Sequence, residues 1–592
     1  MPDLSAAVRP RPLWQPRQQD AEVFGQALSD GHSPFLAGIL AGRIRSGDGG
    51  LSGLSGRLAD IPPPTLLPDV DPACERLARA LAEREHIVLA TDHDVDGVTS
   101  HAVLWSALVR HFGHPPARLH TVISHRVREG YGLSSALSAR IRALPVPVGL
   151  VLTADQGSCD GERIAELAGQ GIDTVVTDHH QVAGRGPTAA VACVNPQRAD
   201  SRYPDRAIAG CMVAWLLMCA LRRHLIALGR LPEAAPRLGD LLDFVALGTV
   251  ADAVSLGSSA SNRAVVQAGL MRMNQQARPA WQAFARVRPG PWQATDLAFG
   301  LGPLINAGSR VADVMPGVRA LIATDLGQAC AEVERLVAAN AARRAVEQEL
   351  TGQALAALQA TARPGDAAVC VAFDEGNAGV HGIVASRLVE HSGCPALCLS
   401  PRVGQPDLLT GSLRTVADQW GGALVDIHAA LAEIDARHPG LLLTWGGHAA
   451  AGGLSVEAAR LATLRAAWQA AVRSQRPPQP PRRWFDAAPQ EPLSATHLAA
   501  LDGLQPYGRG FDAPILALDC QVTGSRPLGD GSHRRLSLAD AGEATEAVWF
   551  RADPEPAPGT ATRSRLYVSL HPPTRWTRGG FDLHVHGLER LS

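Results

Sequence analysis

The stretch that decides the fold is HIVLATDHDVDG, residues 86–97, in which a short apolar run is followed at once by three aspartates. A run of this length is typical of a buried strand. Further runs of the same kind are VGLVLTA (148–154), DTVVT (173–177) and AVACV (190–194). Stretches with helical periodicity lie between them, at HAVLWSALVRHF (101–112) and ERIAELAGQG (162–171). Strands that alternate with helices predict an α/β domain built on a doubly wound parallel sheet.

Length and composition exclude several classes of protein. A chain of 592 residues is too long for one compact core, so we expect several domains. The formal net charge of -2 is not that of a typical nucleic-acid binder, so any such surface must come from local clusters. The sequence has no lysine, which excludes Schiff-base catalysis and a lysine-containing phosphate loop. No Cys-x-x-Cys pair or signal peptide is apparent, so we expect a cytoplasmic protein without membrane association.

Changes in composition along the chain predict the domain organisation. The first 60 residues are rich in Gly, Pro and Ser, and we expect a loosely ordered arm there. A segment rich in Ala, Glu and Arg (328–359) predicts a long connecting helix. The predicted parts are an N-terminal arm (1–60), a first α/β domain (61–325), a connecting helix (326–363), a second α/β domain (364–473), a Pro-rich linker (474–484) and a small β-barrel (485–592).

Acidic and imidazole side chains follow the apolar runs at the point where each run ends. They are Asp92, Asp94 and Asp96, then Asp155, then Asp178, His179 and His180, and finally Asp252. The carboxyl ends of parallel strands meet at one edge of a sheet, and carboxylates gathered there repel each other unless cations neutralise them. A single aspartate after a strand commonly caps the next helix instead, but four such sites together favour a metal centre. Oxygen and imidazole ligands suit a pair of Mn²⁺ or Mg²⁺ ions.

Several motifs resemble those of a known enzyme family. TDHDVDGVTS (91–100), TADQG (153–157), VVTDHH (175–180) and ALGTVAD (246–252) resemble the successive motifs of DHH phosphoesterases, and their spacing resembles the RecJ branch. NPQR (195–198), AGCMVAW (209–215), GPLINAGSR (302–310), GVHGIVASRL (379–388), GSLR (411–414), WGGHAAAGG (445–453) and LQPYGRGFDAPIL (504–516) extend the match in order. The resemblance covers roughly residues 80 to 592. It implies a DHH catalytic domain, a DHH-associated substrate-binding domain after the long helix, and a C-terminal OB-fold.

The resemblance also implies roles for individual residues. Metal ligands at matching positions are Asp94, Asp96, Asp155, His179 and Asp252, with Asp155 as the bridging carboxylate. Asp92 and Asp178 occupy acidic positions of the same motifs and are either further ligands or groups that support the ligands. His180 matches the imidazole that faces the scissile phosphate and, with Asp155 and Arg310, forms the predicted catalytic set. Predicted substrate-binding residues are Asn306, Arg310 and Arg387, the 5′-phosphate pair Ser412 and Arg414, and the turn Gly446, Gly447 and His448. A surface ion pair is the alternative for Arg310, and a purely structural glycine turn for 446–448.

This chain departs from the family pattern at several positions. His93 stands where an aromatic residue is usual, and Gln156 stands where Asn is usual. The usual Trp-His pair is replaced by Gly376 and Asn377, and His381 replaces an aliphatic residue. None of these differences removes a predicted metal ligand. They indicate a divergent branch of the family.

Three functions are compatible with these motifs. The first is an exonuclease that degrades single-stranded DNA from the 5′ end, acting as a monomer, with a single-strand-binding protein and a helicase as candidate partners. Arg534 and Arg535, together with Trp576, are its candidate DNA contacts on the barrel, although Trp576 could instead pack on the barrel. The second is a DHH phosphodiesterase for short oligonucleotides or cyclic dinucleotides, which would lack the terminal barrel. The third is a non-catalytic replication scaffold, which would have lost metal ligands.

Overall fold

The structure is a computed structural model that divides into two compact units. The larger unit contains residues 56–415 and 425–474, and the smaller unit contains 1–55, 416–424 and 475–592. The structure describes residues 13–46, 50–54, 56–126, 129–361, 363, 366–416, 425–475, 482–529, 531, 533–550, 552, 562–573 and 580–591. The two units are described separately below.

The helices and strands follow one another in a mixed order. The strands are β1 (Leu13–Pro16), β2 (His86–Thr91), β3 (Leu119–Thr121), β4 (Val148–Ala154), β5 (Asp173–Thr177), β6 (Ala192–Val194), β7 (Val369–Ala372), β8 (Ala396–Arg402), β9 (Gln405–Arg414), β10 (Thr444–His448), β11 (Ala451–Glu457), β12 (Arg482–Phe485), β13 (Leu516–Leu528), β14 (His533–Ala539), β15 (Glu546–Trp549), β16 (Thr562–His571) and β17 (Asp582–Arg590). The α-helices are α1 (Ala21–Ser29), α2 (Pro34–Arg43), α3 (Val70–Glu83), α4 (Val95–Ser106), α5 (Ser135–Arg142), α6 (Gly161–Ala168), α7 (Gly210–Ala227), α8 (Leu242–Ala251), α9 (Ala260–Asn274), α10 (Pro279–Val287), α11 (Gly302–Val311), α12 (Met315–Ile322), α13 (Leu326–Thr361), α14 (Ala378–Ser392), α15 (Ile427–Arg437), α16 (Leu461–Gln475) and α17 (Ala495–Asp502). Shorter helical turns are Gly50–Leu54, Leu58–Asp60, Pro64–Leu66, Ala107–His111, Pro116–Arg118, Leu238–Leu241, Ala294–Asp296, Leu297–Leu301 and Ala458–Arg460.

The first sheet of the larger unit contains five parallel strands in the order β3-β2-β4-β5-β6. It confirms the predicted parallel sheet, and only the short strand β3 had no sequence prediction. The strands β2 and β4 are buried over most of their length, as their continuous apolar runs indicated. On one face, Val88, Val151 and Val176 pack with Leu137 of α5 and Ile164 of α6. This core stabilises the sheet whose strands end at the acidic and imidazole side chains.

Helix α4 begins earlier than the apolar pattern predicted. The predicted helix started at residue 101, whereas α4 starts at Val95. The Asp94 side chain accepts hydrogen bonds from the N–H groups of Asp96 (2.9 Å) and Gly97 (3.2 Å), and so it caps the helix. The DHDVDG segment therefore forms the first helical turn directly after β2.

The second sheet of the larger unit has the order β10-β11-β9-β8-β7, with β7 and β8 parallel and the other pairs antiparallel. Leu350 of α13 and Val384 of α14 belong to the core on one face. Leu431 of α15 and Trp468 of α16 belong to the core on the other face. The fold is therefore a second α/β layer structure. The long helix predicted at 328–359 is present as α13.

Helix α7 is the one helix, among the described residues, that is long and apolar enough to cross a membrane. Its 18 residues are 61% buried inside the structure. Cys211, Met212 and Leu221 are among its fully buried side chains. Burial of this kind is what a central helix of a globular core requires, and α7 packs against α4 and α8.

The smaller unit contains a closed five-stranded barrel in the order β13-β14-β15-β17-β16. This topology is that of an OB-type barrel, as predicted. The N-terminal arm was wrongly expected to be loosely ordered, because it forms β1, α1 and α2, and β1 pairs in parallel with β12. Trp14 of β1 stacks on Tyr567 at 4.1 Å between ring centroids. Residues 482–484 of the predicted linker belong to β12, and residues 476–481 lie outside the described part of the chain.

A buried charge cluster ties this arm to the barrel unit. The Asp486 carboxylate accepts hydrogen bonds from Arg17 Nε (2.7 Å), Arg43 Nε (2.6 Å) and the Ile515 N–H (2.8 Å). The Asp486 side chain is completely buried, and the arginine side chains are 7% and 3% exposed. The helices of the arm are thus held by ionic contacts that local composition does not reveal.

The variant Asp486→Ala should lower the free energy of unfolding of the smaller unit by about 3–5 kcal/mol, because two buried guanidinium groups would lose their common partner. Thermal and urea unfolding would measure the change. Asp519→Ala is the control, since Asp519 is 38% exposed in its pair with Arg565 of the same unit and its loss should cost less than about 1 kcal/mol. Equal stability of Asp486→Ala and the parent would contradict the assigned role.

Candidate metal centre

The predicted acidic edge lies at the carboxyl ends of three neighbouring strands. Asp92, Asp155 and Asp178 each follow the last residue of β2, β4 and β5. The N–H group of each aspartate continues the sheet by donating to the next strand, to Ala154 O (3.2 Å), Thr177 O (3.0 Å) and Val194 O (3.1 Å) respectively. The sheet register therefore places the three carboxylates side by side, as the ends of parallel strands require.

The backbone at Asp155 has an unusual conformation. Asp155 has a φ of 61°, in the left-handed region that non-glycine residues seldom adopt, and Gly157 follows with a φ of 115°. The hydroxyl of Tyr131 donates to Asp155 O (3.2 Å), and Gln156 Nε2 donates to Ala90 O of β2 (3.0 Å). Backbone strain of this kind persists where the surroundings hold it, and it is concentrated at functional sites. Gln156, one of the departures from the family pattern, thus braces the turn that carries Asp155.

Three overlapping groups of side chains have ligand atoms close enough to share ions. The groups are Asp155, His179 and His180; Asp96, His179 and Asp252; and Asp92, Asp94 and Asp155, and within each group the ligand atoms lie within 4.8 Å of one another. Asp155 and His179 each belong to two groups. The overlap suits two neighbouring cations with Asp155 between them. The structure thus brings together Asp94, Asp96, Asp155, His179 and Asp252, the five residues that match the metal ligands of the family.

Several of these ligand atoms are buried and have no hydrogen-bond partner among the residues that the structure describes. They are Asp92 Oδ1, Asp155 Oδ1 and His179 Nε2. His179 Nε2 lies 3.1 Å from Asp155 Oδ1, 3.7 Å from Asp252 Oδ2 and 3.8 Å from Asp96 Oδ2, but the first pair is not oriented as a hydrogen bond. A buried polar atom without a partner is costly, and divalent cations bound within the ligand groups would satisfy these atoms. The donor set therefore fits the metal ions that the sequence predicted.

The electrostatics of the cluster also favour bound cations. Burial and the charges of Asp96 and Asp94 raise the pKa of Asp155 well above its usual value. Burial and the charge of Asp94 raise the pKa of Asp92 to about 8. Burial lowers the pKa of His179, which favours the neutral imidazole that binds metals. The carboxylates cannot all stay ionised at neutral pH unless positive charge is added among them.

Hydrogen bonds and close packing at two glycines hold the Asp96 carboxylate in place. The carboxylate accepts hydrogen bonds from the N–H groups of Gly210 (2.6 Å) and Cys211 (2.9 Å), which begin helix α7. A Cβ atom at Gly248 of α8 would lie 2.8 Å from Asp96 Oδ1 and 2.3 Å from Thr99 Oγ1. A Cβ atom at Gly210 would lie 2.8 Å from Asp155 Oδ1. Glycine at both positions therefore allows two helices to approach the centre.

Asp178 orients the histidine pair and is not itself placed as a ligand. Its Oδ1 accepts from the N–H groups of His179 (2.7 Å) and His180 (3.1 Å) and lies 2.8 Å from His180 Nδ1, and its Oδ2 accepts from the Ser158 N–H (3.0 Å). It belongs to none of the three groups formed by the described residues. These contacts favour the supporting role among the two that the sequence left open for Asp178, and its role as a ligand stays a prediction. Burial opposes a charge on His180, but the hydrogen bond and charge of Asp178 raise its pKa to about 9.

Positive charge lies beside the acidic centre. Burial and the charges of Arg126 and Arg414 lower the pKa of Arg310 to about 9. Arg310 Nη1 donates to Gly379 O (2.7 Å), and Arg414 Nη1 donates to Leu413 O (2.7 Å). Among the described residues, neither arginine has a carboxylate partner. Guanidinium groups that repel one another and lack anions are suited to phosphate groups of a substrate.

The second sheet carries further predicted substrate residues. Ser412 of β9 pairs with Gly453 of β11, which in turn pairs with Gly446 of β10. Gly447 has a φ of 140°, which a residue with a side chain adopts only with strain. The ring of His448 lies 6.4 Å from that of His180. The glycine turn therefore approaches the metal centre from the second domain.

Two of the predicted substrate-binding residues lie on helices, and their surroundings differ. Asn306 of α11 lies four residues before Arg310, and its buried Oδ1 has no hydrogen-bond partner among the described residues. Its role in binding substrate stays a prediction. The guanidinium of Arg387 instead pairs with Glu347 (3.2 Å) and Glu390 (3.1 Å). These ion pairs link α14 to α13, and the substrate role of Arg387 stays a prediction.

The predicted barrel contacts belong to the smaller unit. Arg534 Nε donates to Ser525 Oγ (2.7 Å), and Arg535 pairs with Glu546 (3.0 Å). Trp576 lies outside the described residues. A carboxylate therefore partners Arg535, whereas Arg534 binds a neutral hydroxyl, and the roles of both in binding DNA stay predictions.

Some supporting residues could not be found from the sequence. The Tyr131 hydroxyl lies 2.9 Å from His180 Nδ1. Asn195 Nδ2 donates to Ser158 Oγ (2.8 Å) and to His180 O (2.9 Å). These contacts join segments that are far apart in the chain, and no local pattern marks them.

The fold and the site define a metal-dependent phosphoesterase of the DHH class. The family model "DHH family, N-terminal domain" matches residues 86–249, and the model "RecJ OB domain" matches residues 487–572. The chain is 36% identical over 401 residues to the single-stranded-DNA-specific exonuclease RecJ of Dickeya dadantii, covering 66% of this chain and 67% of the relative. It is 31% identical over 499 residues to that of Salmonella typhimurium, covering 80% and 82%. The chain belongs to the RecJ family.

A solved structure agrees with this assignment. The crystal structure of RecJ in complex with Mn²⁺ from Thermus thermophilus has a TM-score of 0.77 and 25% sequence identity to this chain. The match covers 99% of this chain and 80% of that one. The fold class predicted from the sequence is therefore confirmed for both α/β layers and for the barrel.

The variant Gly248→Ala should weaken Mn²⁺ binding by roughly 10–100-fold, because the added methyl group would displace Asp96 and Thr99. Isothermal titration calorimetry would measure the affinity, and circular dichroism would verify folding. Gly352→Ala in α13 is the control, since no atom lies within 4 Å of its added Cβ. Unchanged Mn²⁺ affinity in folded Gly248→Ala would show that this close approach is not required.

Proposed function

We propose that the chain is an exonuclease specific for single-stranded DNA, which hydrolyses phosphodiester bonds with two Mn²⁺ or Mg²⁺ ions. The observation that carries this proposal is the convergence of Asp94, Asp96, Asp155, His179 and Asp252 at one edge of a parallel sheet, with buried ligand atoms that lack partners. The named activity of the RecJ relatives supports the substrate class. The donor chemistry supports the cofactors.

The residues of the site have separate roles in an in-line displacement at the phosphorus atom. Divalent cations, when bound, would supply an activated water and would neutralise charge on the phosphate. Asp155 and His179, which belong to two ligand groups each, would help to hold these ions. Asp178 orients His180 toward the scissile phosphate. Arg310 binds the same phosphate group and offsets the charge that develops on it.

The second domain supplies recognition of the DNA end. Ser412 and Arg414 offer a hydroxyl and a guanidinium that together suit a terminal 5′-phosphate. The turn at Gly446 and Gly447 lets backbone approach the strand, and His448 faces His180 across the centre. We infer hydrolysis in the 5′ to 3′ direction from this arrangement and from the family resemblance. Repair and recombination are the processes in which such an activity is used.

The observations weigh against both alternatives. A phosphodiesterase for cyclic or very short nucleotides does not need the C-terminal barrel, which the chain has. A non-catalytic scaffold does not need an intact ligand set, which the chain also has. We propose further that the enzyme acts in the cytoplasm as a monomer, with a single-strand-binding protein and a helicase as partners that supply the single strand.

The variant Asp155→Ala should reduce metal-dependent degradation of single-stranded DNA by at least about 1000-fold, because it removes the ligand shared by two groups. An end-labelled single strand incubated with Mn²⁺ would show the loss. Asp407→Ala is the control, since Asp407 is exposed on β9 away from the ligand groups. Degradation by folded Asp155→Ala at the parental rate would refute the proposed function.

The double variant Ser412→Ala/Arg414→Gln should lose most of the preference for a 5′-phosphate over a 5′-hydroxyl end, because charged hydrogen bonds of this kind are worth roughly 10–100-fold. Degradation rates on both ends would be compared with those of the parent. Arg402→Gln is the matched control and should retain the preference, because Arg402 is exposed at the end of β8 and has no predicted substrate role. A preference that survives the double variant would disprove end recognition by this pair.

A further inference from the structure

Helix α14 begins in contact with both of the arginines that lie beside the acidic centre. Arg310 Nη1 donates to Gly379 O (2.7 Å) in the first turn of the helix. A Cβ atom at Gly379 would overlap the Arg310 carbonyl oxygen and lie 3.1 Å from Arg310 Cα. A Cβ atom at Gly382 would lie 2.5 Å from Arg414 Nη2 and 3.0 Å from Arg414 Cζ. We name residues 377–382, which make these contacts, the cap segment.

Asn377 fixes the conformation of the cap segment. It stands directly before α14 in an extended conformation, and its Oδ1 accepts a hydrogen bond from the Gly379 N–H (2.8 Å). Its carbonyl oxygen accepts another from the Val380 N–H (3.0 Å). An asparagine in this position is an N-cap, which satisfies N–H groups that have no partner within the helix. Asn377 therefore holds in place the residue whose carbonyl oxygen receives Arg310.

The two arginines depend on neutral contacts of this kind. Burial, together with neighbouring guanidinium charges, lowers the pKa of Arg310 and the pKa of Arg414. Carboxylates would hold such groups firmly, but they would also compete with a phosphate group for the same N–H donors. A carbonyl oxygen and a closely packed glycine instead orient the guanidinium groups and leave their charge available for a phosphate.

Three of the departures from the family pattern meet at the start of α14. The ring of His381 is completely buried and lies 5.9 Å from that of Phe373. Burial lowers the pKa of His381 to about 4, so its ring is neutral at physiological pH. A Cβ atom at Gly376 would lie 3.2 Å from His381 Nε2, and Asn377 follows directly. The three residues therefore support the cap segment by packing and hydrogen bonding, not by charge.

We propose that the cap segment positions the two arginines for their phosphate groups. Asn377 orients Arg310 through the carbonyl group of Gly379, and Gly382 leaves the space that the Arg414 guanidinium occupies. Asn377 and Gly382 are therefore positioning residues, which act through the arginines. This inference rests on the proposed function and names further residues for it. Because each residue acts on a different arginine, different measurements test the two.

The first test replaces Asn377 in the full chain. Asn377→Ala should lower kcat about fivefold on an end-labelled single strand with Mn²⁺, which is roughly the effect of losing one helix cap. KM should not change, because Arg310 acts on charge that develops in the transition state. Asn377→Ser should restore kcat, since serine also caps helices. In an Arg310→Gln background, Asn377→Ala should have no further effect.

The matched control for Asn377→Ala is Ser134→Ala. Ser134 Oγ accepts from the Leu137 N–H (3.2 Å), so this variant removes the cap of α5 instead. It should retain the parental kcat. Circular dichroism would verify the folding of each variant.

The second test replaces Gly382 and does not depend on a helix cap. Gly382→Ala should reduce the preference for a 5′-phosphate over a 5′-hydroxyl end about tenfold, because the added methyl group displaces the Arg414 guanidinium from its charged hydrogen bonds. The rate on hydroxyl ends should stay parental. Alanine favours a helix, so the variant should fold. Gly352→Ala in α13 is again the control, since its added Cβ has open space.

The outcomes separate this proposal from the proposed function. A loss of kcat that recurs in the Arg310→Gln background, or that Asn377→Ser does not restore, would overturn the role of Asn377. A parental end preference in Gly382→Ala would overturn the role of Gly382. If Ser412→Ala/Arg414→Gln also keeps the preference, the end recognition in the proposed function fails as well. A parent that degrades no single-stranded DNA would refute the proposed function itself.

Discussion

Repulsion among buried carboxylates at one edge of a parallel sheet is the constraint on which this structure depends. The sheet register aligns Asp92, Asp155 and Asp178, and the helix that follows β2 adds Asp94 and Asp96. Water is largely excluded from these groups, so their charges cannot be screened as they would be at the surface. Divalent cations offset the repulsion and satisfy the ligand atoms that have no hydrogen-bond partner. The same ions are what phosphodiester hydrolysis requires.

Much of this arrangement could be predicted from the sequence. Strands β2, β4 and β5 are buried on both faces, and such strands appear as continuous apolar runs. The position of each aspartate directly after a run then determined where the carboxylates meet. The family motifs added His180 and the arginines, and the structure places Arg310 and Arg414 beside the centre.

Other features depend on tertiary contacts that no local pattern reveals. Arg387 matched a motif, but its partner Glu347 lies 40 residues earlier on a separate helix. Gly248 is required by the close approach of α8 to Asp96, which only the folded structure shows. The N-terminal arm has the composition of a flexible segment, and it is ordered through Arg17 and Arg43, which bind Asp486 of the barrel unit.

The larger unit concentrates charge, with carboxylates that suit cations and, among the described residues, the guanidinium groups of Arg310 and Arg414 without carboxylate partners. A chain with a net charge of -2 can therefore bind a polyanion through local chemistry, without an overall basic surface.

Anomalous X-ray diffraction from crystals soaked in Mn²⁺ tests the central claim most directly. Two anomalous peaks about 3.5–4 Å apart are expected, with Asp155 between them and His179 bound to one of them. The peaks should lie within the ligand groups that include Asp94, Asp96 and Asp252. If the ligand residues are ordered but show no anomalous peak, or if manganese is bound only elsewhere, the account is contradicted.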